Sequence, residues 1–542
     1  MEIKKKQFDY IIVGAGSAGC VLANRLSADP SVSVLLVEAG PKDSSLFIRM
    51  PTAFAHAINS QKFDWNYLGE PEPYLDNRQL ACPRGKVLGG SSSINAMCFV
   101  RGHHRDFDNW ADVSGYANWS YKHCLPYFKK LETFSGGENS YRGGSGPVSV
   151  IAPEFTNPLC DVFAQACKQS GYDWSMDSNG EFQEGFGAMD QTIRHGLRES
   201  CASAYLKPIR KRKNLVIANG YTTSRVLLMG SRARGIEVIK GSHVQIIQSL
   251  RETILCAGAI ESPKLLMHSG IGPAEHLLQV GVEPVHDLPG VGQNLQDHVN
   301  VNIKYESLLP VSNTSLLKPH RKAMLGLRWV TTRTGPGATN HFELAGYIKS
   351  AEEVSQPDLQ LLFVPLLVDD NGKAPQQAHG FQVALSQLRS NSRGRIALKS
   401  NDPSDAPSIL FNYLQASEDY TELRAGIEKT RHIFGADAFK PYLGQEIAPG
   451  ESITDVSGLN QFIKDTLRST KHPCGTCKMG QDEYAVVNDA ASVHGIERLR
   501  VVDASIMPRI TSGNTNAPTI MIAEKIADQI LGRESMFANV GS

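Results

Sequence analysis

The sequence predicts a two-domain α/β protein, in which a Rossmann-like domain is interleaved along the chain with a domain built on an antiparallel sheet. Residues 8–40 follow the order strand, glycine turn, helix, strand, which is a βαβ unit. Alternating apolar residues at 214–258 indicate antiparallel strands that join this first sheet. Between about 300 and 465 the pattern changes to longer strands with polar loops, which indicates a second sheet.

The remaining elements follow in order. Prolines and a glycine-serine cluster predict irregular structure from 41 to 130, and residues 135–147 are a glycine-rich connection. Helices are predicted near 158–170, 418–434 and 455–468, and the last segment has the pattern of strand, loop and helix. We assign to the first domain residues 1–155, 198–300 and 466–542, and to the second, substrate-binding domain residues 156–197 and 301–465.

Composition limits the possible functions. The chain has 542 residues, and its 55 Lys and Arg balance its 55 Asp and Glu, so no basic surface for nucleic acid is indicated. Its ten cysteines are scattered, which favours reduced thiols in a cytoplasmic protein. Lys4 to Lys6 and the apolar stretch that follows resemble a signal peptide, but cleavage there would remove the glycine turn, so we expect none. No apolar run reaches the roughly 18–20 residues of a membrane span, so any membrane contact is expected to be peripheral.

Gly14, Gly16 and Gly19 form G-x-G-x-x-G between a strand and a helix, and Glu38 ends the next strand. Bare backbone there lets a pyrophosphate sit on the helix N-terminus. Glu38 can accept the ribose hydroxyls and would repel a 2'-phosphate, which disfavours NADP. The alternative is a glycine turn without a ligand. The motif alone does not distinguish NAD from FAD.

Further motifs extend over nearly the whole chain: "RGKVLGGSSSINAM", "GAIESPKLLMHSGIG", "GVGQNLQDH", "HPCGTCKMG", "VVDASIMP" and "GNTNAPTIMIAEKIAD". With the dinucleotide motif, their order resembles that of the glucose-methanol-choline (GMC) oxidoreductase family. The resemblance implies the GMC fold and FAD as the cofactor. Some members attach the flavin through a histidine that precedes the matching asparagine; Ile94 stands at that position here, so the FAD is expected to be noncovalent.

The resemblance and the chemistry of each motif give a set of expected cofactor-binding residues. Trp65 is expected in the loop that covers the cofactor, and the backbone of Val226 is expected to meet the adenine. The full set is Gly14, Gly16, Ser17, Ala18, Gly19, Glu38, Ala39, Trp65, Arg84, Gly85, Gly89, Gly90, Ser91, Ser92, Asn95, Ala96, Val226, Ala257, Asp503, Ala504, Thr515 and Asn516.

Oxidation of an alcohol through a flavin needs a base for the hydroxyl proton and a donor that holds the developing alkoxide. Histidine suits the first task because its ordinary pKa is near neutral, and an amide NH₂ suits the second. The resemblance implies His472 as the histidine and Asn514 as its partner, with Asn516 of the same loop as the second choice.

"EPEPYLDNRQLACPRGK" and "TGPGATNHFELAGYI" are most similar to the choline-oxidising members of the family. This implies oxidation of choline to betaine aldehyde for glycine betaine synthesis. Medium-chain aliphatic or other primary alcohols are the alternative substrates. For the choline cation we expect Glu343 as the carboxylate, with Phe342 and Trp329 as aromatic walls. Electrons are expected to pass to a quinone or respiratory-chain acceptor, which implies a cytoplasmic protein with peripheral contact with the inner membrane.

Three readings from other classes stay open. Cys474 and Cys477 form Cys-x-x-Cys, which FAD-dependent disulfide reductases also carry, although no second dinucleotide motif is found. With His472 the same pair could bind zinc, but a second close pair is lacking, so we expect no metal. A noncatalytic FAD-binding scaffold is the third reading. We interpret the two cysteines as buried packing residues.

Overall fold

The computed structural model describes residues 3–368 and 378–537. Two seven-stranded sheets dominate this part of the chain, with helices packed around them. Among the described residues, no helix has both the length and the apolar character needed to cross a bilayer. The predicted α/β fold class, with one mixed and one antiparallel sheet, is confirmed; the domain boundaries remain a prediction.

The first sheet is mixed and contains the βαβ unit. Its strand order is Leu215–Asn219, Val34–Glu38, Gln7–Val13, His243–Leu255, Arg232–Lys240 and Thr222–Met229, with Leu499–Val501 also paired with His243–Leu255. The first four of these strands are parallel, and the hairpin strands from 222 to 255 are antiparallel. Val34–Glu38 is buried along its whole length, which explains its continuous apolar run.

The second sheet is antiparallel in all of its described pairings. Its order is Leu443–Ala448, Val299–Ser307, Gly380–Gln387, Leu359–Val364, Leu344–Ile348 and Gly185–Ala188, with Arg468–Ser469 also paired with Val299–Ser307. Strands from both predicted parts of the second domain therefore meet in one sheet.

The helices of the described residues are Ser17–Leu26, Leu46–Arg49, Phe54–Ile58, His104–Ser114, Tyr121–Leu131, Pro158–Gln169, Gly258–His268, Ala274–Gln279, Pro319–Thr332, Ser417–Phe434, Val456–Thr466 and Asn516–Ile530. The three helices predicted near 158, 418 and 455 are present. The region from 41 to 130, predicted as irregular, contains helices as well. One of them, His104–Ser114, begins with a capping box of His103 and Asp106 and ends at Gly115 in the left-handed conformation.

Candidate active site

A cavity of about 800 Å³ lies at the carboxyl ends of the parallel strands Gln7–Val13 and Val34–Glu38. Its far walls are the segments around residues 468–473 and 514–516, which are remote in sequence. Ligands of α/β sheets bind at this end of the strands, and the volume falls within the range of small-molecule and cofactor sites, about 300–1,000 Å³.

Glycine backbone forms one wall. Gly14 has φ +97°, and a Cβ there would lie 2.5 Å from the carbonyl oxygen of Cys256. Gly90 has φ +53°, and a Cβ there would lie 2.7 Å from Cα of Gly16. Side chains are therefore excluded where these two turns meet.

Two helices begin at the cavity without a capping side chain. Ser17–Leu26 starts after Gly16, and Asn516–Ile530 starts after Thr515; neither N-cap residue accepts a hydrogen bond from the helix with its side chain. The free N–H groups and the positive ends of both helix dipoles favour an anion. This arrangement fits a dinucleotide pyrophosphate.

Glu38 ends its strand at the same edge of the sheet. Its carboxylate accepts hydrogen bonds from the backbone N–H groups of Ala15 at 2.9 Å and Gly40 at 2.8 Å. Burial raises the pKa of Glu38 to about 7, against the opposing effect of these two hydrogen bonds and of the Lys86 charge. The hydrogen bonds orient the carboxylate, and its remaining lone pairs can accept ribose hydroxyls.

Most of the expected cofactor-binding residues line this cavity. They are Gly14, Gly16, Ser17, Ala18, Glu38, Ala39, Trp65, Arg84, Gly85, Gly90, Ser91, Asn95, Ala96, Ala257, Asp503, Ala504, Thr515 and Asn516. Within the set, the Asp503 carboxylate accepts hydrogen bonds from Gly258 N–H at 2.8 Å and the Ser262 hydroxyl at 2.6 Å. Asp503 therefore also anchors the start of helix Gly258–His268.

Four expected residues do not line the cavity, and their contacts explain why. A Cβ on Gly19 would lie 1.9 Å from the carbonyl oxygen of Gly14, so Gly19 allows helix and turn to pack closely. Gly89 and Ser92 lie behind the glycine-serine turn, where the Ser92 hydroxyl donates to the Gly89 carbonyl. The Val226 N–H donates to the Ser269 hydroxyl.

Val226 therefore does not line the cavity, and its contact with an adenine stays a prediction. Tyr221, Thr222 and Thr223 line the cavity in this region, whereas Val226 lies farther along the strand Thr222–Met229.

His472 and Asn514 meet at the cavity. Nδ2 of Asn514 lies 3.0 Å from Nε2 of His472, and both residues are lining residues. Oδ1 of Asn514 is buried without a hydrogen-bond partner among the described residues. The backbone of His472 is fixed by a hydrogen bond from its N–H to the Asp297 carboxylate at 2.6 Å.

The hydrogen bonds around His472 determine its tautomer. Nε2 of His298 lies 3.1 Å from the carbonyl oxygen of Leu388, and because a carbonyl only accepts, that nitrogen must carry the hydrogen. Burial lowers the pKa of His298 to about 4, so the ring is neutral and its Nδ1 is an acceptor. Nδ1 of His472 lies 3.0 Å from it and must donate.

Nε2 of His472 consequently carries the lone pair. The Thr470 hydroxyl donates to the His298 carbonyl and lies 3.0 Å from Nδ1 of His472, so it accepts a share of the same hydrogen. The pKa of His472 is held well below 6.5, mainly by burial and then by the electrostatic influence of the His298 ring and of the positive charges of Arg84 and Lys471. The ring is thus a neutral base with its lone pair directed at the Asn514 amide.

The expected substrate residues separate into two groups. Phe342 lines the cavity, and its ring centroid is 5.5 Å from that of Phe54, another lining residue. Glu343 does not line it: the buried carboxylate accepts from the Thr156 N–H at 2.7 Å and the Thr156 hydroxyl at 2.6 Å.

The prediction for Trp329 also needs correction. Its indole N–H donates to the Gly196 carbonyl at 2.8 Å, and the ring is buried beneath its own helix, away from the cavity lining. A carboxylate or an indole in an apolar strand or helix can point toward the cavity or away from it. The sequence did not show which of these directions Glu343 and Trp329 take.

Cys474 and Cys477 are buried and unpaired. Burial raises the pKa of both thiols well above the ordinary value, so both are protonated and unreactive at neutral pH. Within residues 3–368 and 378–537, no group of three or more His, Cys, Asp or Glu side chains is placed to hold a metal ion.

Sequence reasoning did not identify His298, Thr470 and Asp297 as partners of His472. His298 and Asp297 end the quoted motif "GVGQNLQDH", so a signal was present. Their relation to His472 depends on a contact between residues 174 positions apart, which no local pattern reports.

Two family models match the chain, both described as GMC oxidoreductase: an N-terminal model at residues 8–300 and a C-terminal model at residues 390–523. The chain is 48% identical over 531 residues to a protein of Proteus mirabilis (strain HI4320) named oxygen-dependent choline dehydrogenase, covering 97% of this chain and 96% of that one. It is 47% identical to a protein of the same name from Escherichia coli O127:H6, over 98% and 96% of the two chains.

Solved structures also match the fold over nearly the whole chain. Pyridoxine 4-oxidase from Mesorbium loti matches with a TM-score of 0.89 and 32% identity, over 97% of this chain and all of that one. A variant of the formate oxidase of Aspergillus oryzae RIB40, studied for its FAD modification, matches with a TM-score of 0.90 and 27% identity, over 98% and 99% of the two chains.

Proposed function

The chain belongs to the GMC oxidoreductase family, and on that premise we propose that it oxidises choline to betaine aldehyde, a step of glycine betaine synthesis. FAD, bound noncovalently, supplies the acceptor for the hydride that leaves the alcohol carbon. The glycine wall, Glu38 and the two uncapped helix N-termini would hold it.

The observation that carries the proposal is the pairing of His472 with Asn514 at 3.0 Å. A hydroxyl that enters between these groups can give its proton to Nε2 of His472, the nitrogen that carries the lone pair. The Asn514 amide can donate to the same oxygen as negative charge develops on it. Both residues are only partly exposed at the cavity wall, so water screens these interactions less than it would on the open protein surface.

The choline cation needs a different partner from the one expected. A quaternary ammonium donates no hydrogen bond and is held by aromatic faces and by charge. Since Glu343 is occupied by Thr156, we assign the cation to the aromatic pair of Phe342 and Phe54, which lies on the cavity wall.

For the electron acceptor we propose a quinone or another respiratory-chain carrier, with peripheral contact at the inner membrane. The curated relatives carry "oxygen-dependent" in their names, so oxygen is the competing acceptor. Anaerobic turnover of choline with a soluble quinone analogue, compared with oxygen uptake in its absence, distinguishes the two. Faster turnover with oxygen alone would contradict the proposal.

The substrate is tested by comparing initial rates on choline and on hexanol at equal concentration. Choline is expected to be oxidised faster, because hexanol has no cation for the aromatic pair. Faster oxidation of hexanol would instead indicate an aliphatic alcohol dehydrogenase of the same family. Failure of every primary alcohol to bleach the flavin without oxygen would indicate a noncatalytic scaffold.

A further inference from the structure

The helix Pro319–Thr332 has an apolar ridge that the rest of the described chain leaves uncovered. Met324, Leu327 and Val330 are 60%, 66% and 52% exposed. Their spacing of three residues places them on one face of the helix. Trp329 is the only buried residue of this helix, so the helix is anchored on one side and apolar on the solvent side.

Positive charge surrounds this ridge. Between residues 307 and 342 the sequence contains no Asp or Glu, while the chain as a whole has no net charge. The Lys and Arg residues of this stretch are Lys318, Arg321, Lys322, Arg328 and Arg333. Arg321 and Arg328 lie three residues before and four residues after Met324, and so on adjoining positions of the helix surface.

The buried side of the helix packs toward the segment that leads to the cavity: a Cβ on Gly337 would lie 2.8 Å from the Trp329 Cβ and 2.9 Å from the Met50 Cε. We call the exposed residues Met324, Leu327 and Val330 the docking face. The α-helix that follows Met50 in the chain, Phe54–Ile58, contributes to the cavity wall.

We propose that the docking face rests on an anionic lipid bilayer. Large apolar side chains flanked by Lys and Arg are the composition of helices that lie in the plane of the membrane interface, where apolar residues reach the acyl boundary and the basic residues contact phosphates. Charge complementarity selects this partner. In a twofold contact between two copies, the same basic residues would face each other, and like charges oppose that association.

The docking face also bears on how an electron acceptor reaches the protein, and this one point rests on the proposed function. The helix of the docking face packs on Gly335–Ala338, this segment packs on Pro51–Ala53, and the next helix, Phe54–Ile58, lines the cavity. A lipid-soluble electron acceptor held at the docking face would therefore approach the protein on the side of this cavity wall. The lipid contact itself follows from surface composition and is measured without substrate.

The test is cosedimentation of the FAD-loaded protein with vesicles of phosphatidylcholine, with and without phosphatidylglycerol. The native protein is expected to bind the anionic vesicles and to be released by salt. The double variant Met324→Glu/Leu327→Glu replaces exposed side chains, so folding is retained. Its binding is expected to fall by about tenfold or more, because two apolar side chains no longer enter the interface.

A matched control is Val244→Glu/Ile246→Glu. These residues are 61% and 53% exposed and lie near the start of strand His243–Leu255, whereas the residue that follows this strand, Cys256, lines the cavity. Both residues belong to the first sheet and lie outside the docking face, so they match the exposure of Met324 and Leu327 without sharing their helix. The control variant should bind vesicles like the native protein.

Equal vesicle binding by the native protein and Met324→Glu/Leu327→Glu would overturn the proposal. So would a change of molecular mass in light scattering caused by this variant alone, since it would identify the face as a protein interface. Choline turnover with a soluble dye acceptor is measured in parallel. Its absence would overturn the proposed function and leave the vesicle result standing.

Discussion

Nε2 of His472 and Nδ2 of Asn514 lie 3.0 Å apart across the cavity wall, although the two residues are 42 positions apart in the chain. The amide donates into the lone pair of the imidazole, so the proposed base and the proposed oxyanion donor meet at one point. A substrate hydroxyl can take the place of this contact without any rearrangement of the backbone.

Replacement of His472 by Ala should leave the fold and the bound flavin intact and reduce turnover by about 10²- to 10⁴-fold, the usual contribution of a positioned base. The measurement is steady-state turnover of choline at known flavin content. Asn514→Ala is the companion variant, for which kcat should also fall, because the developing charge loses its donor. Near-normal turnover of a flavin-loaded His472→Ala protein would contradict the assignment.

His298 is expected to act through His472 as a positioning residue. Its Nδ1 accepts the hydrogen on Nδ1 of His472, which keeps the lone pair on the nitrogen that faces the cavity. His298→Leu removes this acceptor and should lower kcat by about 10- to 100-fold, the effect typical of an orienting partner of a functional histidine. His298→Asn keeps an acceptor oxygen and should recover much of the loss. Equal activity of the two variants would indicate packing alone.

The pH dependence of kcat/KM reports the base in the free enzyme. The neutral form of His472 is the active one, and burial lowers its pKa well below 6.5. Activity should therefore stay level as the pH falls from 8 through 6.5 and decline only as the pH approaches the lowered pKa. A half-loss near pH 6.5 would show an ordinary, exposed histidine. His472→Ala is the control, whose residual activity should lack this decline.

The sequence was sufficient for the parts of the site that depend on local geometry. The glycine turn, the helix start at Ser17 and the carboxylate of Glu38 lie within one βαβ unit, so their spacing predicts their arrangement. Contacts between segments that are distant in the chain could not be predicted from the sequence. For example, the direction in which the Glu343 side chain points depends on its hydrogen bond with Thr156. The helix Pro319–Thr332 was missed because it buries only Trp329 and so lacks the apolar stripe by which a packed helix is identified.

The two substrate residues that adjoin in sequence should respond differently to mutation. Phe342→Ala removes an aromatic wall and should raise KM for choline by about 3- to 30-fold, the range that cation–π attraction supplies. Glu343→Gln leaves one partly buried Thr156 donor without its acceptor and should lower the free energy of unfolding by about 0.5–1.5 kcal/mol, with KM unchanged. A large rise in KM for Glu343→Gln, with unaltered stability, would restore the carboxylate to the substrate pocket.

Cys474 and Cys477 provide the test that distinguishes an alcohol oxidoreductase from a disulfide reductase or a zinc protein. Both side chains are buried, and burial keeps both thiols protonated, so neither should exchange electrons with the flavin. The double variant Cys474→Ala/Cys477→Ala should lose about 1–3 kcal/mol of stability through the small cavities it leaves and keep most of its choline turnover. The number of titratable thiols in the denatured native protein should also be the same before and after reduction by choline without oxygen. A gain of two thiols on reduction, or a loss of activity as large as that of His472→Ala, would show that the cysteine pair takes part in the chemistry.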